Sequence, residues 1–189
     1  EKQKKWLYRK FDFLTEYVDT SAVTGKPILT VSARELLATD YYRKSPRSEK
    51  QWVKGRKQAG VDEFLSKQGM QAAINEVFNE NNISLFTNKF VSPLSRIGTG
   101  FYKYYLMDTL QIAGEPCADL AFTPFNSESF GFNGHLYVTL DSTYFVKRAV
   151  FNFPKKINLN FVDYMLLEQE FKRAEDGTRL LDHESITVE

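Results

Sequence analysis

With 189 residues, 42% hydrophobic and 26% charged, the chain is long enough to bury a core without staples and too apolar to be disordered. Lys and Arg number 25 against 24 Asp and Glu, which argues against a generally basic nucleic-acid binder, and the single Cys excludes an internal disulfide and a Cys-based zinc site. Phe, Tyr and Trp make up 15% of the chain, a content that favours strands and large buried rings.

In chain order, Trp6, Leu7, Phe11, Leu14, Tyr17 and Val18 recur at spacings of three and four and predict a helix. Gly25-Lys26-Pro27 is a turn. Ile28 to Arg43 alternates loosely, Ser45-Pro46-Arg47 turns, and Lys50 to Lys57 returns as a second strand anchored by Trp52 and stopped at Gly60. Val61 to Asn81 is the strongest predicted helix, with Phe64, Leu65, Met70, Ala73, Ile74, Val77 and Phe78 on one stripe. Asn88 to Gly100 reads as loop.

Beyond Gly100 the period changes towards two. Phe101 to Leu110, Cys117 to Thr123, His135 to Leu140, Thr143 to Phe153, Tyr164 to Arg173 and Thr178 to Val188 are predicted strands. A two-residue Asp141-Ser142 connection and a Glu175-Asp176-Gly177 turn join the last two pairs. Parallel strands need crossovers of a dozen or more residues, so connections this short predict an antiparallel meander. Met165, Leu167 and Phe171 share one side of their strand and Glu168, Glu170 and Lys172 the other, so the sheet has a dry and a wet face. The Val61 to Asn81 stripe is of a size to cover the dry one. The fold class this predicts is α+β: a curved antiparallel sheet, or half-barrel, with helices packed on its concave apolar face.

Charge is uneven. Residues 1–60 carry a balance of +7 and residues 61–189 one of −6. The excess peaks at Arg43, Lys44, Arg47, Lys50, Lys54, Arg56 and Lys57, opposed only by Glu49. Such a run is either a solvated hairpin face or a patch for anionic headgroups or an acidic partner. No apolar run approaches the ~18 residues that span a bilayer. The start shows no signal peptide and the end reads as a strand cut short, so a piece of a longer protein is expected.

The chemistry-bearing residues form no constellation. His135 and His183 cannot make a three-His zinc site, Cys117 reads as a small buried hydrophobe, and no nucleophile elbow or phosphate loop is present. No enzymatic activity, cofactor or metal is expected.

Three stretches carry a family resemblance: Asp40-Tyr41-Tyr42-Arg43-Lys44-Ser45-Pro46 with Val53-Lys54-Gly55-Arg56-Lys57 and Gly60; Phe101-Tyr102-Lys103-Tyr104-Tyr105-Leu106 with Asp108-Thr109; and Phe122-Thr123-Pro124, then Phe132-Asn133-Gly134-His135-Leu136-Tyr137-Val138 with Thr143-Tyr144-Phe145-Val146-Lys147-Arg148 and Asn158-Leu159-Asn160-Phe161-Val162. Together they resemble an uncharacterised family of cell-envelope proteins from Gram-negative bacteria. Its members carry a carboxypeptidase-regulatory-like sandwich ahead of this region and an outer-membrane β-barrel behind it. A looser likeness is to the periplasmic lipoprotein-carrier fold. The resemblance implies a single periplasmic domain over residues 1–189, associated with the outer membrane and contiguous with a membrane barrel. It would hold a lipid or acyl chain, or bind other envelope proteins, and not nucleic acid. The expected lining of an apolar cavity is Phe64, Ile74, Phe78, Tyr104, Leu136, Met165 and Leu167. The alternatives are a structural spacer with a filled core and an enzyme with an unrecognised site.

Overall fold

The computed structural model describes residues 18–21, 25–29, 32–43, 45–46, 48–60, 82–85, 88–157, 159 and 162–189. The chain divides into two compact units, residues 1–67 and 68–189. Among the described residues 67% are strand and 3% helix.

The described residues of the first unit form two hairpins. Strand β1 (Val18–Thr20) pairs antiparallel with β2 (Pro27–Leu29) across a turn at Gly25, whose φ of +66° is costly for any residue with a Cβ. Val18 thus lies in a strand rather than at the end of a helix, and residues 6–17 of the predicted helix lie outside the described residues. Strand β3 (Ser32–Arg43) pairs with β4 (Ser48–Gly60) over their full length, with Lys54 as one extra residue on β4. This long hairpin is a two-stranded sheet of its own.

The second unit contains the short hairpin β5 (Asn82–Leu85) and β6 (Asn88–Val91), one turn of helix α1 (Gly98–Phe101), and six strands: β7 (Tyr102–Ile112), β8 (Glu115–Pro124), β9 (Asn133–Thr139), β10 (Val146–Asn152), β11 (Met165–Arg173) and β12 (Arg179–Val188). Their spatial order equals their sequence order and every pairing is antiparallel, the predicted meander. The tight connections carry the turn chemistry that a twisted hairpin requires. Ala113 and Gly114 both have positive φ, and Gly177, at φ +82°, closes β11 to β12 while Asp176 accepts from the Thr178 amide. The β9–β10 connection is six residues rather than two, because the Asp141 side chain gathers the loop around itself.

The α+β class is corrected. The described residues hold no helix packed on the sheet; the predicted helix Val61 to Asn81, up to residue 81, lies outside them. Among the described residues, apolar cover comes from Ile83, Leu85 and Phe90 of the β5–β6 hairpin, a segment beginning where the sequence reads the helix as closing, and from loop rings at Phe132 and Phe153. The sheet is open, with β7 and β12 as its edges among the described residues.

Tyr102 ties the layers together. Its hydroxyl donates to the Val91 carbonyl and accepts from the Phe132 amide at 3.1 Å. Burial raises this phenol well above its ordinary pKa. Tyr102→Phe takes this partner from the buried Phe132 amide and from the part-buried Val91 carbonyl, and we expect a loss of about 1–3 kcal/mol in urea denaturation; an unchanged midpoint would show that the hydroxyl carries no structural role.

Candidate functional site

Three surfaces and one cleft have enough chemistry to be considered. The first is the dry face. The pairing register aligns Tyr104, Phe122, Gly134, Phe151 and Leu167 in one row across β7 to β11, and Leu120, Leu136, Ala149 and Gln169 in the next. Four of the expected cavity residues are therefore brought to one face: Leu136, Met165 and Leu167 are buried, and Tyr104 is half-buried with its hydroxyl on the Pro93 carbonyl at 2.6 Å. Burial pushes the Tyr104 phenol up to about 12. Phe64, Ile74 and Phe78 lie outside the described residues. Against this face stands a block of rings. Phe90 lies 5.1 Å from Phe132 and 4.9 Å from Phe153, Phe132 lies 5.6 Å from Phe151, and Phe122 lies 5.5 Å from both Phe151 and Tyr102. The same face includes a buried Gln169, whose amide donates to Glu184 at 2.7 Å; burial raises the Glu184 carboxyl. Neither residue stands out in the sequence, where a Gln among Glu and Lys in a strand reads as solvated.

The second surface is the wet face of the same sheet. His135 Nδ1 lies 2.7 Å from Asp119, and Arg148 bonds Glu168 at 2.8 Å while stacking over Tyr137. Alternation places His135 on a strand surface, but the Asp119 partner comes from the neighbouring strand, a juxtaposition that follows from the register alone. The cross-strand neighbours of His135 are Ala121 and Val150, which carry no nucleophile for an Asp–His pair to activate. Among the described residues no group of three His, Cys, Asp or Glu could hold a metal ion. Cys117 is buried as expected, and burial raises its thiol above the usual range, away from thiolate chemistry.

At one end of the sheet a cleft of about 380 Å³ is lined by Thr143, Tyr144, Phe145, Arg173, Gly177 and Arg179. Both guanidiniums lie over the Phe145 ring, at 4.8 and 5.5 Å. Arg173 is tied to Asp141 at 3.1 Å and to Thr143 at 2.7 Å, so its charge is internally paired. Asp141 is the hub: the Thr143 hydroxyl first, then that of Thr139, hold its carboxyl well below the ordinary carboxylate value of 3.8. A depressed carboxyl stabilises the fold above its unfolded pKa and loses that contribution as pH falls from there towards the folded one. Asp141→Asn should therefore lower the melting temperature at pH 7 and have a smaller effect near pH 2. An equal effect at both pH values would remove the charge from the explanation.

The third surface is the basic patch. Arg43, Lys50, Lys54, Arg56 and Lys57 all lie on the β3–β4 hairpin, whereas Lys44 and Arg47 lie outside the described residues. The hairpin register divides these cations between two faces, which a count along the sequence cannot do. Arg43 also donates to the Pro46 carbonyl at 3.3 Å and Arg56 to Gln58 at 2.8 Å.

Comparison with curated proteins and with solved structures gives no match. The sequence model of one family, described as a family of unknown function (DUF5686), matches residues 3–189. By a match across nearly its whole length, with the meander and its aromatic block inside the matched span, the chain belongs to this family of unknown function, DUF5686.

Proposed function

We propose that this chain is a non-catalytic scaffold and docking domain of a cell-envelope protein, closed on its own apolar face rather than carrying a lipid. The observation that carries the reading is the ring block on the dry face. Ring centroids 4.9 to 5.6 Å apart are in van der Waals contact and leave no channel between them for an acyl chain. A ligand site of drug or acyl size needs on the order of 300 Å³ of enclosed apolar volume. The cleft at Phe145 has that volume, but it is open and lined by two arginines.

The envelope placement is supported by the sequence resemblance. Docking is supported by strand β7, which among the described residues is paired on one side only and carries exposed Tyr105, Leu106 and Met107. An apolar edge of this kind takes an extended segment of a protein partner as a further strand, through main-chain hydrogen bonds. The opposite edge, β12, is blunted by Asp182, His183 and Glu184.

The test is titration with an apolar fluorescent fatty-acid probe. The expected result is no saturable binding. Saturable one-to-one binding that Leu136→Lys abolishes in a still-folded variant would overturn the scaffold reading in favour of a carrier.

A further inference from the structure

We propose that one face of the β3–β4 hairpin docks on bilayers of anionic lipid. The surface belongs to residues 1–67 and does not depend on the β7 reading.

The hairpin register sorts the side chains between two faces. Successive strand residues point to opposite faces. On β3 the odd positions share a face, and their partners are Glu35 with Lys57, Leu37 with Gly55, Thr39 with Trp52, Tyr41 with Lys50, and Arg43 with Ser48. The extra residue Lys54 shifts the phase of β4, which is how Trp52 and Lys57, an odd number apart, reach one face. This face therefore gathers Leu37, Tyr41 and Trp52 with three cations against one carboxylate. The other face holds Arg34, Leu36, Ala38 and Asp40 opposite Gln58, Arg56, Val53 and Gln51, and its row ends at the Tyr42–Glu49 pair. Leu37, Tyr41 and Trp52 are 65%, 52% and 63% exposed. Gly55 opposite Leu37 adds no side chain that could cover it.

Trp and Tyr settle at the headgroup level of a bilayer, where the ring is apolar and its edge polar, and Lys and Arg are drawn to anionic headgroups. The strip from Leu37 to Arg43 is about 20 Å long at ~3.3 Å per residue, enough to span several headgroups. A nucleic acid would use the cations and rings but gain nothing from Leu37, and three phosphate contacts would hold it weakly. Charge and apolar exposure together favour the lipid surface.

The experiment is co-sedimentation of the 189-residue chain with vesicles of phosphatidylcholine alone or mixed with phosphatidylglycerol, at low and high salt. We expect retention on the anionic vesicles that falls with salt, and little on the neutral ones. Each cation near the surface is worth about fivefold in partitioning, so Lys50→Gln with Lys57→Gln should weaken it about 25-fold. Arg34→Gln with Arg56→Gln, on the far face, should weaken it by no more than about threefold. In a Trp6→Phe background, Trp52 emission should shift to the blue on anionic vesicles only. Circular dichroism of each variant checks that the hairpin is intact. Equal retention on both vesicle types, no retention on either, equal losses from the two charge pairs, or unmoved Trp52 emission would each overturn the proposal. So would binding to a single-stranded oligonucleotide with the same cation dependence and none to vesicles.

Discussion

Gly134→Ala is expected to cost about 3 kcal/mol or more, at the upper end of what overpacking does. An added Cβ would sit 1.9 Å from the Val150 carbonyl oxygen and 3.0 Å from the Phe122 ring. The first obstacle is backbone of the neighbouring strand, so no rotamer change can relieve it; β9 and β10 must part. Gly134 stands between Phe122 and Phe151 in the cross-strand row, and parting the strands disturbs both rings. Urea denaturation and near-ultraviolet circular dichroism of the aromatic block should change together. Gly100→Ala is the control: its Cβ meets nothing within 4 Å, and its effect should stay within about 0.5 kcal/mol. If the two substitutions behaved alike, the close approach of β9 to β10 would be wrong.

Phe151→Ala is expected to cost about 3–5 kcal/mol, the range for removing a fully buried ring. Phe151 has no exposed surface and touches Phe122 edge-on and Phe132 in a stack. Its loss empties the middle of the dry face, and the cavity left should take up a small apolar molecule such as benzene that the parent protein does not bind. Phe125, exposed and under the Lys103 ammonium at 5.4 Å, makes the contrast: Phe125→Ala should cost about 1 kcal/mol or less. A Phe151→Ala loss no larger than that of Phe125→Ala would mean the rings are not a packed block, and the scaffold reading would fall with it.

Local patterning along the chain is enough to specify the six-stranded meander. Period-two alternation marks each strand, and connections such as Ala113-Gly114 and Asp176-Gly177 are too short for anything but antiparallel neighbours. Alternation also tells which face of β11 is dry, because Met165, Leu167 and Phe171 interleave with Glu168, Glu170 and Lys172, and a lone Cys117 in an apolar strand reads as inert. These follow from local geometry, in which a residue's neighbours along the chain dictate its direction. What covers the dry face is a matter of long-range packing. Among the described residues, those that do so, Phe90, Phe132 and Phe153, sit in a short strand and in loops, where no periodicity marks a ring as buried. The stripe from Val61 to Asn81 draws the expectation of a helical layer because apolar residues at helical spacing signal that some face is buried, without naming the surface it meets. The same holds for the polar pairs. Asp119 meets His135, and Gln169 meets Glu184, through cross-strand register. In the β3–β4 hairpin a single extra residue, Lys54, decides which cations share a face with Trp52. Register depends on hydrogen bonding across to the neighbouring strand rather than on the pattern along either strand, and shifting it by one residue reverses every side chain.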